Sequence, residues 1–151
     1  MIEELLDEDL ILILDKVEDK FKLIEIMVDK TLGKGLIVTR EPILDKIRER
    51  EELESTGVVE GIALPHARTE AVKDLLLVVA VVKEGLDFKA LDGKPVYIVF
   101  LIVAPEEAKK KYINVLARIS RMCRQEEFRK ALREAESPAS ILKIIKEFDI
   151  C

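Results

Sequence analysis

The chain has 151 residues, enough to bury an ordinary core without disulfide or metal staples. Apolar residues make up 49% and charged residues 36%, which excludes a disordered chain, and a net charge of −5 leaves no basic excess for nucleic-acid phosphates. The acidic start MIEELLDEDL lacks the parts of a signal peptide, and the apolar runs are too short to span a bilayer as helices, so a cytoplasmic domain without membrane insertion is expected.

A single domain over residues 1–151 is expected, since no linker, repeat or low-complexity stretch interrupts the chain. Leu10–Asp15 is a short β-prone run. Asp19 is placed to cap a helix through Leu32, with Phe21, Ile24, Met27 and Val28 on its apolar face. Gly33 and Gly35 end that helix, and Leu36–Val38 reads as a short extended piece. Pro42 suits the first turn of a helix over Glu41–Glu54, in which Ile43, Ile47 and Leu53 form the buried side.

Beyond Gly57 the apolar period changes. Gly61–Leu64, Leu75–Lys83 and Val96–Ala104 read as strands, and the last two are almost wholly apolar, as strands covered on both faces are. Gly85–Ala90 and the turn Leu91–Pro95 lie between them. Pro105 opens a helix to about Arg124, with Ile113, Leu116, Ala117, Ile119 and Ser120 inward. Helices near Glu126–Glu136 and Pro138–Phe148 close the chain. The pattern predicts an α/β fold, a sandwich of three layers.

The two cysteines, Cys123 and Cys151, have neither metal spacing nor the density of a secreted scaffold and read as free thiols. No Gly-x-Ser-x-Gly elbow, P-loop or metal-ligand spacing supports a hydrolytic or metal-dependent enzyme. One residue remains for chemistry. His66, the sole histidine, follows Pro65 at a strand-to-loop junction, where side chains face solvent or ligand. Imidazole is neutral and nucleophilic near neutral pH, so it accepts and releases a phosphoryl group readily. By residue type alone, a surface or core-edge histidine stands as the other reading.

The surrounding residues add a resemblance. Arg50-Glu51, Ser55-Thr56-Gly57 and Gly61-Ile62-Ala63-Leu64-Pro65-His66-Ala67 form one block, and Asp87-Phe88 with Leu91-Asp92-Gly93-Lys94-Pro95-Val96 a second. Pro105 with Leu116-Ala117, then Phe128–Ala135 and Ile141–Ile145, complete the pattern. Over essentially its whole length the chain resembles the enzyme IIA domain of the phosphoenolpyruvate-dependent sugar phosphotransferase system, in its mannitol/fructose class, which includes nitrogen-regulatory homologues. The resemblance implies a mixed sheet flanked by helices in the three-layer sandwich. It also implies that His66 accepts a phosphoryl group from the phosphorylated carrier HPr and donates it to a IIB domain, with no metal or organic cofactor.

Its neighbours each keep two readings. Arg50 falls where the family has an arginine and is either a clamp on phosphoryl oxygens or a solvated residue of a charged helix end. Thr56 is either a hydrogen-bond partner of the histidine or phosphoryl group, or a turn hydroxyl. Glu60 either orients the imidazole or pairs with Arg50, or is plain surface. Arg68 is either a stabilising or docking charge or a solvated loop residue.

One position departs from the resemblance. Tyr112 stands where the class commonly carries a second histidine, in Tyr112-Ile113-Asn114-Val115-Leu116-Ala117. A phenol stays neutral at neutral pH and supplies no imidazolium charge. Lys109, Lys110 and Lys111 are either partial compensation or a solvated helix start. Three functions follow: a phosphocarrier, a regulatory protein of the nitrogen type suggested by the absence of a fused membrane or IIB domain, and a binding module that kept the fold without the chemistry. The implied partners are an HPr-like donor and a IIB domain or regulated protein, and the apolar helix faces are compatible with a homodimer.

Overall fold

Strands β4 (Leu76–Leu86) and β5 (Val96–Ala104) form the antiparallel centre of a five-stranded mixed sheet. The computed structural model describes residues 2–53, 55–57 and 60–150. Both central strands are apolar almost throughout and buried along nearly their whole length. Each Val, Leu, Ile or Phe side chain so removed from water contributes about 1.5–3 kcal/mol before entropy is counted. β1 (Ile11–Leu14) pairs parallel with β4, and two short strands, β2 (Ile62–Ala63) and β3 (His66–Arg68), both pair parallel with β5 on its other side.

Helices cover both faces. α1 (Lys20–Gly33) and α2 (Glu41–Leu53) pack on each other and against β4 and β3. α3 (Lys109–Cys123), α4 (Glu126–Glu134) and α5 (Pro138–Phe148) form the second helical layer over β5, β4 and β1. Phe128 of α4 lies between Phe100 of β5 and Phe148 of α5, with ring centroids 6.4 and 5.2 Å away, and so ties that layer to the sheet. No helix among the described residues is long and apolar enough to cross a membrane.

Local signals account for the helix ends. The Asp19 carboxylate accepts from the Lys22 amide at 2.9 Å, capping α1, and Ser137 with Ser140 forms a capping box ahead of Pro138 on α5. Four expectations are corrected. Leu36–Val38 forms no strand; Val38 is 89% exposed in the bend between α1 and α2, with nothing to pair against. Leu53 is exposed, because the inward stripe of α2 runs through Ile43, Leu44, Ile47 and Glu51.

On α3 the inward residues are Tyr112, Val115, Ile119, Met122 and Cys123, while Ile113 and Ala117 face out and Leu116 and Ser120 are half-buried. The observed stripe keeps helical spacing over the whole element and carries the larger apolar surface, so it wins the sheet-facing side. Pro105 precedes a single turn of 3-10 helix, Glu106–Ala108, before α3 begins. Cys123 is a free thiol, buried and pushed up to about 12 by that burial. Cys151, and Glu54 at the expected end of α2, lie outside the described residues.

Candidate functional site

The edge of the sheet beside β5 is one strand interrupted by Pro65. Ile62 and Ala63 pair with Ile98 and Val99, and His66, Ala67 and Arg68 pair with Ile102, Val103 and Ala104, in unchanged register across the break. Proline has no amide to give a ladder and is tolerated at an edge, where its carbonyl still accepts from the Ile102 amide at 3.0 Å. His66 is therefore the first residue of β3, not a strand-to-loop junction. A strand residue has a fixed direction, and the ladder on β5 holds this one.

The imidazole is half-buried, and its Nδ1 lies 2.6 Å from the Leu64 carbonyl oxygen. A carbonyl only accepts, so Nδ1 carries the proton and donates it, and the lone pair is on Nε2. Burial holds His66 below the ordinary imidazole value of 6.5. The Leu64 bond and the Glu51 carboxylate act the other way, and the Arg50 guanidinium adds to the depression. At neutral pH the group is a neutral imidazole with an available nitrogen nucleophile.

Tyr112, on the buried face of α3, places its ring centroid 6.0 Å from that of His66, with the planes tilted by 56°. Burial raises the phenol above its usual 10.0, so it stays uncharged, while the charges of Arg68 and Arg50 work against that rise. The Arg68 guanidinium lies 5.9 Å from the Tyr112 ring and donates to the Glu106 carbonyl at 3.2 Å. Arg50, in the last turn of α2, acts electrostatically on both His66 and Tyr112. Two guanidinium groups thus act on the ring pair from different elements.

Thr56 is buried, and its hydroxyl oxygen has no hydrogen-bond partner among the described residues. Its loop is pinned from the far side: the Ser55 hydroxyl donates to the Phe88 carbonyl, and the Leu91 amide to the Gly57 carbonyl. A Cβ on Gly57 would come within 3.1 Å of Ala90, so only glycine permits that approach without a shift. Glu60 stands apart from the imidazole's hydrogen bond, which Leu64 fills; it is exposed, has a left-handed backbone (φ 60°), and its amide donates to Asp92 at 3.1 Å. Lys109, Lys110 and Lys111 are all exposed on the first turn of α3.

Two further residues were given no role from the sequence, although Glu51 stands in the first motif block. Glu51 is buried on the apolar stripe of α2, and Lys20 of α1 is its ion-pair partner at 3.2 Å. Helical spacing from Ile43 and Ile47 was the available signal for Glu51, an acid at a position that must face inward. Nothing in the sequence pointed to Lys20, which becomes its partner only when α1 and α2 pack. Beyond Leu64 an open groove of about 1240 Å³ runs between β2 and α3–α4, walled by Ile62, Arg124, Arg129, Lys130 and Arg133.

The fold and site define a mixed-sheet α/β domain with one oriented, neutral imidazole packed on a phenol, and two guanidinium groups acting on that ring pair. Residues 4–148 match the family model "Phosphoenolpyruvate-dependent sugar phosphotransferase system, EIIA 2", and the chain belongs to that family. It is 37% identical over 148 residues to the fructose-specific EIIABC component of Bacillus subtilis, covering 98% of this chain but only 23% of that longer protein. It is 36% identical over 124 residues to the fructose-specific EIIA component of Haloferax volcanii, covering 82% of this chain and 80% of that one. Among solved structures, the nitrogen regulatory protein IIA-Ntr of Neisseria meningitidis superposes with a TM-score of 0.88 at 28% identity, over 95% of this chain and 98% of that one.

Proposed function

We propose that this chain is a phosphocarrier that takes a phosphoryl group onto Nε2 of His66 from a phosphorylated HPr-like donor and passes it to a IIB component, working in the cytoplasm. The observation that carries the reading is the Nδ1–Leu64 hydrogen bond, which leaves Nε2 as the reactive nitrogen. In the transfer, Nε2 attacks the donor's phosphorus and a new N–P bond forms as the donor's N–P bond breaks. The bonding pair leaves with the donor's ring nitrogen. His66 then holds its phosphoryl group on Nε2 and its proton on Nδ1, a phosphoimidazolium whose neutral ring is a good leaving group for the return step. Phosphoryl transfer depends mainly on positioning and on charge opposite the equatorial oxygens, which Arg50 and Arg68 supply here, together with the Thr56 hydroxyl as a hydrogen-bond donor. Glu60 lines the open groove beyond Leu64 and takes no part in the step. No metal or organic cofactor enters this step.

Incubation with enzyme I, HPr and labelled phosphoenolpyruvate tests the reading. Acid-labile, base-stable label on the wild-type chain, absent from His66→Ala, is expected; an unlabelled wild type would overturn it.

The likeness to the Neisseria IIA-Ntr structure and to relatives named nitrogen regulatory protein favours a second reading, in which the phosphorylation state of His66 governs binding to a regulated partner. The two differ in discharge. A carrier loses its label to a IIB component within seconds of mixing, whereas a regulator of this kind retains it. The binding-module reading motivated by Tyr112 makes the opposite forecast for His66→Ala, unchanged partner binding and cellular function.

A further inference from the structure

A line of hydrogen bonds connects the ion pair in the core to the reactive ring. Glu51 sits in the last turn of α2 with a side chain wholly removed from solvent, and the Lys20 ammonium meets it at 3.2 Å. The Thr56 amide donates to the same carboxylate, 3.0 Å from Oε2 and 3.2 Å from Oε1. The Thr56 carbonyl accepts from the Leu64 amide at 3.0 Å, and the Leu64 carbonyl accepts from His66 Nδ1 at 2.6 Å. Both backbone groups of Thr56 and both of Leu64 are thereby committed, each with a defined partner.

Stability alone gives a weak reason for this arrangement. A buried ion pair returns little over apolar residues of similar size, because both ions lose their hydration. Ile43, Leu44 and Ile47 on the same stripe show that the interface accepts apolar packing. An apolar side chain at position 51 would fill the space but could not hold the Thr56 amide. Lys20 is itself set in place, with its ammonium 5.4 Å from the ring centroids of both Phe21 and Phe88.

We infer that Glu51 is a positioning residue for the phosphoryl acceptor: its carboxylate, neutralised by Lys20, holds Thr56, through Thr56 the Leu64 backbone, and through Leu64 the tautomer of His66 that leaves Nε2 to react. The consequence for rate rests on the phosphocarrier reading, but the tautomer is measured without any phosphoryl donor.

The test uses Glu51→Leu and the double variant Lys20→Met with Glu51→Leu, neither of which offers the Thr56 amide an acceptor, the second leaving no unpaired charge in the core. Nitrogen NMR of the imidazole reads the tautomer in the unphosphorylated chain, and phosphoryl loading reads the rate. Expected in each folded variant is a mixture of tautomers in place of the single Nδ1–H form, with loading slowed roughly tenfold, as when the outer partner of a ligating histidine is lost. Should Glu51→Leu fail to fold, the double variant decides alone. A wild-type tautomer and rate in the folded double variant would overturn the inference, since the single variant's defect would then come from the unpaired lysine. A shifted tautomer in a protein whose wild type takes no label would uphold the positioning role and remove the phosphocarrier reading instead.

Discussion

Tyr112 lies against His66 with ring centroids 6.0 Å apart, so the residue that departs from the mannitol/fructose pattern is in direct contact with the proposed acceptor. Its phenol packs the imidazole and stays neutral, while Arg68, two residues along the same strand from His66, sits over the phenol's ring and supplies positive charge to that corner.

Replacing the phenol separates packing from charge. Tyr112→Phe keeps the ring contact and is expected to load phosphate at within about threefold of wild type if the hydroxyl makes no contact to the phosphoryl group. Tyr112→His introduces a second ring nitrogen able to donate, and loading is expected to rise roughly tenfold, a modest fraction of what a well-placed donor supplies in an oxyanion site. Equal loading rates for all three chains would show that this corner takes no part in the transfer.

The two arginines make different electrostatic forecasts. Arg50 depresses the protonation of His66, so Arg50→Ala should raise the imidazole's value toward 6.5 while slowing loading by roughly 100-fold through loss of a guanidinium opposite the phosphoryl oxygens. Arg68→Ala should slow loading by a smaller factor, roughly tenfold, without the same movement in His66 titration. Proton titration by NMR and rapid-quench loading separate these two effects.

Folding should depend on pH through His66. Burial lowers its folded-state value beneath the unfolded 6.5, so the unfolded chain takes up the proton first. Stability from keeping the ring neutral is therefore complete above about pH 6.5 and is lost as pH falls toward the folded value. Urea midpoints followed downward from neutral pH are expected to decline in wild type more steeply than in His66→Gln. Parallel curves for the two proteins would contradict the buried, neutral imidazole.

Phe128 gives a prediction about the scaffold alone. It is fully buried between Phe100 and Phe148, so Phe128→Ala removes one ring from a stack that joins sheet to helices. Denaturant unfolding should show a loss of about 3–5 kcal/mol, with the higher end expected if the cavity does not collapse. A loss below 1 kcal/mol would mean that the second helical layer is not held by this stack.

Much of the framework could be read from residue order. The apolar runs of β4 and β5, the Asp19 cap and the Pro138 start all encode their own conformation, because hydrophobic period and capping groups act within a few residues. α3 shows the limit of that reasoning. Ile119 faces inward as its spacing implies, but its partners could be Ile113, Leu116 and Ala117 or Tyr112 and Val115, and only the sheet surface chooses between them. Leu53 shows the same limit, since an apolar residue near a helix end has no need to face the core when the stripe turns a charged residue inward.

By itself, then, the sequence determined the chemistry available: one histidine, a proline before it, arginines on either side, and a tyrosine in place of a second imidazole. Those are properties of residue type and of close neighbours along the chain. Only the tertiary structure decided which ring nitrogen carries the proton, because Leu64 meets His66 through a strand interrupted at Pro65 and kept in register by β5. It alone brought Lys20 to Glu51, and Tyr112 to both His66 and Arg68. Hydrogen bonds and charge interactions act over a few ångströms, and residues far apart in the chain reach that range only when the core packs.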